Sequence, residues 1–166
     1  MFLVPTYSQY VDITAHGWKC RSCGPVAVSM VLAYYGKHRD SLDNVLEKGV
    51  ALQAHNATVG WYHQGLVRLA QMYGVDATAH DWYQESAVLA FEKLMVHIHS
   101  GPLIASVHKY FNPHEGGHLI VVTGYDGHHI YYNEPASKKG TRYARKVSQE
   151  KFLIGWKRRV ITFYVE

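Results

Sequence analysis

Ser22-Cys23-Gly24-Pro25-Val26-Ala27-Val28-Ser29-Met30-Val31-Leu32-Ala33-Tyr34-Tyr35-Gly36 settles most of how this chain must fold. From Val26 to Tyr35 apolar residues fall on nearly every face of a helix, the mark of a helix buried on all sides. Ser22 stands where an N-cap belongs, and Pro25 suits the first turn. Gly36 supplies the left-handed residue that ends such helices. The helix therefore opens at Cys23. A thiol with a pKa of about 8.5 is only a few per cent thiolate at neutral pH. The unpaired N–H groups and partial positive charge of a helix start favour its anion. A buried structural cysteine is the competing reading, and most free cysteines are of that kind. The position in the first turn, with Gly24 leaving the approach open, favours a nucleophile.

Outward from this helix the pattern is helices first and strands second. Residues 1–22 contain Pro5 and Gly17 and read as an extended approach. Ser41 caps a helix from Leu42 to Leu52, and a second runs from Gly60 to Tyr73 with Trp61, Leu66, Leu69 and Ala70 on one repeat before Gly74. Val75–His80 reads as a short strand and Glu85–His99 as a helix ending at Gly101-Pro102. Leu103–Val107, His118–Tyr125, His129–Asn133 and Val160–Val165 are strand-like. Asp126-Gly127 supplies a hairpin turn, and Ser148–Trp156 reads as a short helix. The order predicts an α+β fold, N-terminal helices packed on an antiparallel β-sheet. With 166 residues the whole of 1–166 is expected to form a single domain.

Apolar residues make up 48% and charged residues 18% of the chain, a globular balance that excludes a disordered chain. The net charge of +4 is dispersed. Its only dense runs, Lys138-Lys139 and Lys157-Arg158-Arg159, are too short for a nucleic-acid surface, and the second reads as a solvated strand entrance. No nucleic acid or membrane partner is expected, and nothing bears on oligomeric state. Met1-Phe2-Leu3-Val4-Pro5 lacks a basic n-region, and no apolar run reaches the ~18 residues of a membrane span, so a cytoplasmic location is expected. Two cysteines, Cys20 and Cys23, do not make a secreted disulfide framework.

Three motifs in order carry a resemblance. Cys23-Gly24-Pro25 through Tyr34-Tyr35-Gly36, the stretch Gly117-His118-Leu119-Ile120-Val121-Val122-Thr123-Gly124-Tyr125-Asp126, and Asn133-Glu134-Pro135 together resemble the bacterial bacteriocin-processing (double-glycine leader) peptidases and their papain-like relatives. Val4-Pro5-Thr6-Tyr7-Ser8-Gln9 and the closing Phe152…Trp156 with its β tail are similar as well. The resemblance implies a papain-like cysteine peptidase fold, a peptide or protein substrate, no cofactor and no metal. It makes Cys23 the nucleophile and His118 the general base. Gln9 becomes the side-chain donor of the oxyanion hole, beside the N–H of Cys23. Gly24, Gly117 and Trp61 are the candidate substrate-binding residues. The chain departs from the family in two places. Asp12 to Cys20 lengthens the spacing between Gln9 and Cys23, and Glu134 stands where the family has Asp. Either Glu134 or Asn133 can orient the imidazole, and strand alternation lets only one of them face His118.

Rival motifs are present. His114-Glu115-Gly116-Gly117-His118 spells the zinc-protease signature, which requires a helix; two adjacent glycines would cost about 2 kcal/mol there relative to alanine, and strand residues follow at once. Cys20-Arg21-Ser22-Cys23 is a CxxC without a βαβ unit or a second pair, so Cys20 is read as incidental, or as a reversible disulfide partner of Cys23. His97 with His99 and His128 with His129, among twelve histidines, read as surface residues. The function expected is thiolate attack on a peptide or amide bond through a thioester. The alternatives are a thiol acyltransferase or amidase on the same residues, and an inactive peptide-binding pseudoenzyme.

Overall fold

The computed structural model describes residues 1–138 and 144–165; Lys139 of the Lys138-Lys139 pair lies outside them. The buried helix α1 (Cys23–Tyr34) has every residue from Gly24 to Leu32 buried. It ends as expected, with Gly36 at φ 67°. Its start differs from expectation. Ser22 occupies the cap position without capping, because its hydroxyl donates to Trp18 O at 2.7 Å instead. Helix α2 (Leu42–Ala51) is capped by Ser41, which accepts from Asn44 N.

The segment from 53 to 62 departs from the sequence reading. A two-stranded hairpin, β1 (His55–Asn56) with β2 (Gly60–Trp61), precedes α3 (His63–Gln71), so Trp61 lies on a strand and not on the helix. Asn56 Oδ1 accepts from Thr58 N and Val59 N, and Gly60 takes φ 90°. This Asx turn followed by a left-handed glycine closes a hairpin where the apolar repeat alone continues a helix.

The remaining elements are β3 (Asp76–Asp81), α4 (Ala87–Ile98), β4 (Leu103–His108), β5 (Gly117–Tyr125), β6 (His129–Asn133), β7 (Arg145–Ser148), α5 (Gln149–Gly155) and β8 (Trp156–Tyr164). Ser86 and Ser148 cap α4 and α5 through their side chains. The six-stranded sheet runs in the order β3-β8-β4-β5-β6-β7, and every pairing in it is antiparallel. Side-chain alternation splits the core. Ile104, Leu119, Val121, Ile161 and Phe163 join α1, α2 and α3 on one face. Leu103, Ala105, Ile120, Val122 and Val160 join α4 and α5 on the other. The expected helical layer on an antiparallel sheet is present, with a second apolar layer behind it.

The backbone is irregular in two places around β4. Between Ser106 and Val107 the β4–β8 register shifts from Arg159 to Trp156, a bulge that leaves Lys157 and Arg158 as extra residues. Arg158 has φ 55°, and in the turn after β4 Tyr110 and Phe111 have φ 59° and 57°. Each left-handed non-glycine residue costs roughly 1–2 kcal/mol.

Candidate active site

Cys23 is the first residue of α1, half-buried, with a free thiol. His118, the second residue of β5, is buried at 8% exposure. The packing of α1 across the sheet brings the two into one cleft, near enough for Cys23 to act on the His118 pKa. On its other side His118 Nε2 donates to Glu134 Oε1 at 2.5 Å, which leaves Nδ1 as the nitrogen available to the thiol. The same Glu134 oxygen accepts from Ala136 N at 2.8 Å. The longer glutamate stem is thus folded back by its own turn, which is how it reaches the ring.

Burial alone would lower the His118 pKa, but the hydrogen bonds to Cys23 and Glu134 and their charges outweigh it and raise the pKa to about 10. Burial likewise pushes Glu134 up, and the His118 hydrogen bond and charge, with help from Ala136 N and Arg145, bring it below its ordinary value. The pair sits in the charged form, a buried ion pair with both partners hydrogen-bonded.

Asn133 turns the other way. Its Nδ2 donates to Val4 O at 2.9 Å and to Pro5 O, so its amide holds the N-terminal segment against the sheet and not the imidazole. That segment carries Gln9, whose backbone N donates to Pro135 O at 2.8 Å. Ser8 Oγ donates to Ser137 O in the same turn. The long spacing between Gln9 and Cys23 therefore does not separate them. Residues 12–20 form a loop tied to α2, with Thr14 N and Ala15 N donating to Asp43 and Ile13 buried in the core. Gln9 and Cys23 line one cleft. Gln9 is buried, and its Oε1 has no hydrogen-bond partner among the described residues.

The cleft holds about 590 Å³ and is lined by Gln9, Cys23, Trp61, Gly117, His118 and Glu134, among others. Gly24 is placed differently from the expectation. It is buried and does not open the approach to the thiol, because the Trp61 ring occupies the space beside it; a Cβ on Gly24 would meet Trp61 Cγ at 2.6 Å. Trp61 is both core anchor and cleft wall, held by a hydrogen bond from Nε1 to Arg21 O at 2.7 Å. Cys20 is exposed, also lines the cleft, and carries a free thiol.

The zinc-protease string is a turn running into β5 and not a helix, so its two histidines do not share a helical face. No group of His, Cys, Asp or Glu among the described residues gathers to hold a metal ion. His97 is not a plain surface residue, since it stacks on Trp82 at 6.0 Å and lies 4.9 Å from the His80 ring. The sequence reading missed Lys157 and Arg159 as cleft residues. A basic triplet at a strand start gives no sign of the bulge that turns them inward.

Residues 2–161 match the Peptidase_C39 like family. The chain belongs to that family. Solved structures of C39 peptidase domains share its fold. A double-glycine motif protease from an AMS/PCAT transporter, in complex with its leader peptide, is 22% identical with a TM-score of 0.69, covering 99% of this chain and 94% of that one. The peptidase domain of Streptococcus ComA, a bifunctional ABC transporter, is 18% identical with a TM-score of 0.70, covering 99% and 100%. A C39-like peptidase from Bacillus anthracis is 19% identical with a TM-score of 0.72, covering 100% and 96%. No curated protein is significantly similar to the chain in sequence. Among the described residues no helix is long and apolar enough to cross a membrane, although the ComA relative is a transporter domain.

Proposed function

We propose that this C39-like chain is a cysteine peptidase formed as one domain, with Cys23 as nucleophile, His118 as base and then acid, and Glu134 as the residue that orients the ring. The observation that carries the reading is the meeting of Cys23, His118 and Glu134 from three separate parts of the fold at one cleft, with the His118 ring held by Glu134 Oε1 and its pKa raised by both neighbours. In the reaction the sulfur attacks a peptide carbonyl as a thiolate, with its proton already held on His118 as the imidazolium. The oxyanion is held by the Cys23 N–H and the Gln9 amide, an arrangement supported by the seat of Gln9 in the same cleft. His118 then gives its proton to the departing amine as the C–N bond breaks. The thioester is cleaved by a water whose proton His118 takes up.

Glu134 keeps the imidazole in one orientation and stabilises its protonated form, the role an acid or amide plays in such triads. The bonds that Asn133 already makes to Val4 and Pro5 argue against it for that role. The substrate is an extended peptide. The double-glycine motif of a structural relative solved with its leader peptide supports small residues at the cut, and Trp61 and Gly117 line the cleft that would receive them.

The test is a peptide library incubated with the wild type and with Cys23→Ala, the products read by mass. Cleavage by the wild type alone supports a hydrolase. Products joined to an added amine point to acyl transfer, and peptides bound but uncut by both point to a binding domain.

A further inference from the structure

We propose that the cleft carries a carboxylate subsite on its β4–β8 side, formed by Lys157 with Arg159, so that the peptide substrate bears a carboxylate within two or three residues of the scissile bond. The inference rests on the peptidase reading only for the word substrate; the subsite itself is a binding claim.

The lining of the cleft is one-sided in charge. Arg21, Lys109, Lys157 and Arg159 line it, and Glu134 is the sole carboxylate among the described lining residues. That carboxylate is already engaged by His118 and by Ala136 N. Arg159 is half-satisfied, its Nε bonded to Asp81 at 2.9 Å. Lys157 has no such partner among the described residues. The charge acting on it is the like charge of Arg159, and burial first, then that charge, lowers its pKa. A half-buried ammonium beside a guanidinium, with no anion between them, is a costly arrangement that a ligand carboxylate relieves.

The backbone is bent to make it. The bulge in β8 gives Lys157 and Arg158 no partner in β4, and the left-handed Arg158 reverses the alternation. The Arg158 side chain leaves the cleft to donate to Glu85 O at 2.9 Å. Lys157 and Arg159 on either side of it both line the cleft. Strain of this kind gathers at ligand sites. Lys157 reaches across β4 and sets its Nζ over Gly117, where a Cβ would come within 2.9 Å of it. The absence of a side chain on Gly117 is what lets the ammonium approach the residue next to His118. Gln9 is tied to the turn after β6, so the carboxylate lies across β5 from the oxyanion pocket.

A library of C-terminally amidated peptides, passed over immobilised Cys23→Ala protein, reads the subsite without catalysis. Peptides with Asp or Glu at one fixed position are expected to be retained roughly tenfold over their Asn or Gln counterparts, the scale of one charge-assisted hydrogen bond. Cys23→Ala with Lys157→Gln should lose that preference, and Cys23→Ala with Lys157→Arg should keep it, which separates recognition from a folding defect. A parallel set of neutral peptides with free C-termini distinguishes a terminal carboxylate from an acidic side chain as the source. Equal retention of acidic and neutral peptides in both sets overturns the subsite, as does a preference that survives Lys157→Gln. Iodoacetamide reactivity of wild-type Cys23 decides the peptidase reading separately, because the retention result stands whichever way it falls.

Discussion

The wall of the cleft that carries Cys23 and Gln9 and the wall formed by β4, the turn after it and β8 differ in almost every physical respect. On the first wall most groups are buried and held in place by hydrogen bonds to the backbone around them. Gln9, His118 and Asn133 are each 8% exposed or less, and Gln9, Glu134 and Asn133 are tied to one another through the Pro135 turn and the N-terminal segment. On the second wall the cations are half-exposed, Lys157 lacks an anion among the described residues, and left-handed residues bend the chain. Tyr110, in the strained turn on that side, is 80% exposed. Reacting groups have to be held to a fraction of an ångström, which needs neighbours on all sides. A recognition surface has to leave its valences open for the ligand.

The contrast between the walls breaks first at the chemistry. His118→Ala and Cys23→Ala should each lower cleavage of a library-derived peptide by about 10⁴-fold or more, as removal of one member of a cooperating set does; a loss under tenfold in either would place the reaction elsewhere. Glu134→Ala should cost roughly 10²–10⁴-fold in kcat. Glu134→Gln should cost less, since an amide oxygen still accepts from the ring. Asn133→Ala provides the opposite case. It should leave kcat within a few-fold but lower unfolding stability by about 1–3 kcal/mol, because the Val4 and Pro5 carbonyls lose their donor. If the two positions exchanged these effects in paired kinetic and denaturant measurements, their placement would be wrong.

A smaller effect belongs to the packing of the first wall. Gly24→Ala drives a methyl group into the Trp61 ring and should cost about 1–3 kcal/mol by overpacking, seen as a lower denaturation midpoint. The same buried pair makes stability depend on pH. His118 has its pKa raised in the fold to about 10, so its contribution is complete below the unfolded value of 6.5 and is lost as the pH climbs from there towards 10. Glu134 has its pKa lowered, so its contribution is complete above the unfolded value of 4.5 and is lost as the pH falls below that. The pair therefore stabilises most between about 4.5 and 6.5. Denaturant titrations of Glu134→Gln should show a flatter fall on both sides.

How much of each wall is legible in the sequence follows from the same contrast. The first wall is legible because it is local or periodic. An apolar run marks α1, a strand motif marks β5, and the Asn133-Glu134-Pro135 string marks the end of β6. Alternation predicts opposite faces for Asn133 and Glu134, and the structure turns them to opposite partners. Alternation cannot give which one meets His118, since that depends on how the N-terminal segment docks. The second wall is not legible. The β8 bulge arises from pairing with β4, a contact between residues some fifty apart. In β7, Arg145-Lys146-Val147-Ser148 offers one apolar residue, too little for a period of two to register. The burial of Gly24 escapes the sequence for a related reason. Its neighbour Trp61 comes from a hairpin that the helical repeat of 60–73 conceals.

The chemistry proposed for the cleft depends on the activation of Cys23 by His118, and the rate of Cys23 alkylation by iodoacetamide across pH, followed by mass, reads that activation without any knowledge of the substrate. Cys20→Ser should serve as the background, so that the exposed second thiol does not contribute. An activated Cys23 should alkylate rapidly well below pH 8 and lose that reactivity in His118→Ala. Cys23 reacting like an ordinary thiol, at the same rate with and without His118, would contradict the proposed chemistry.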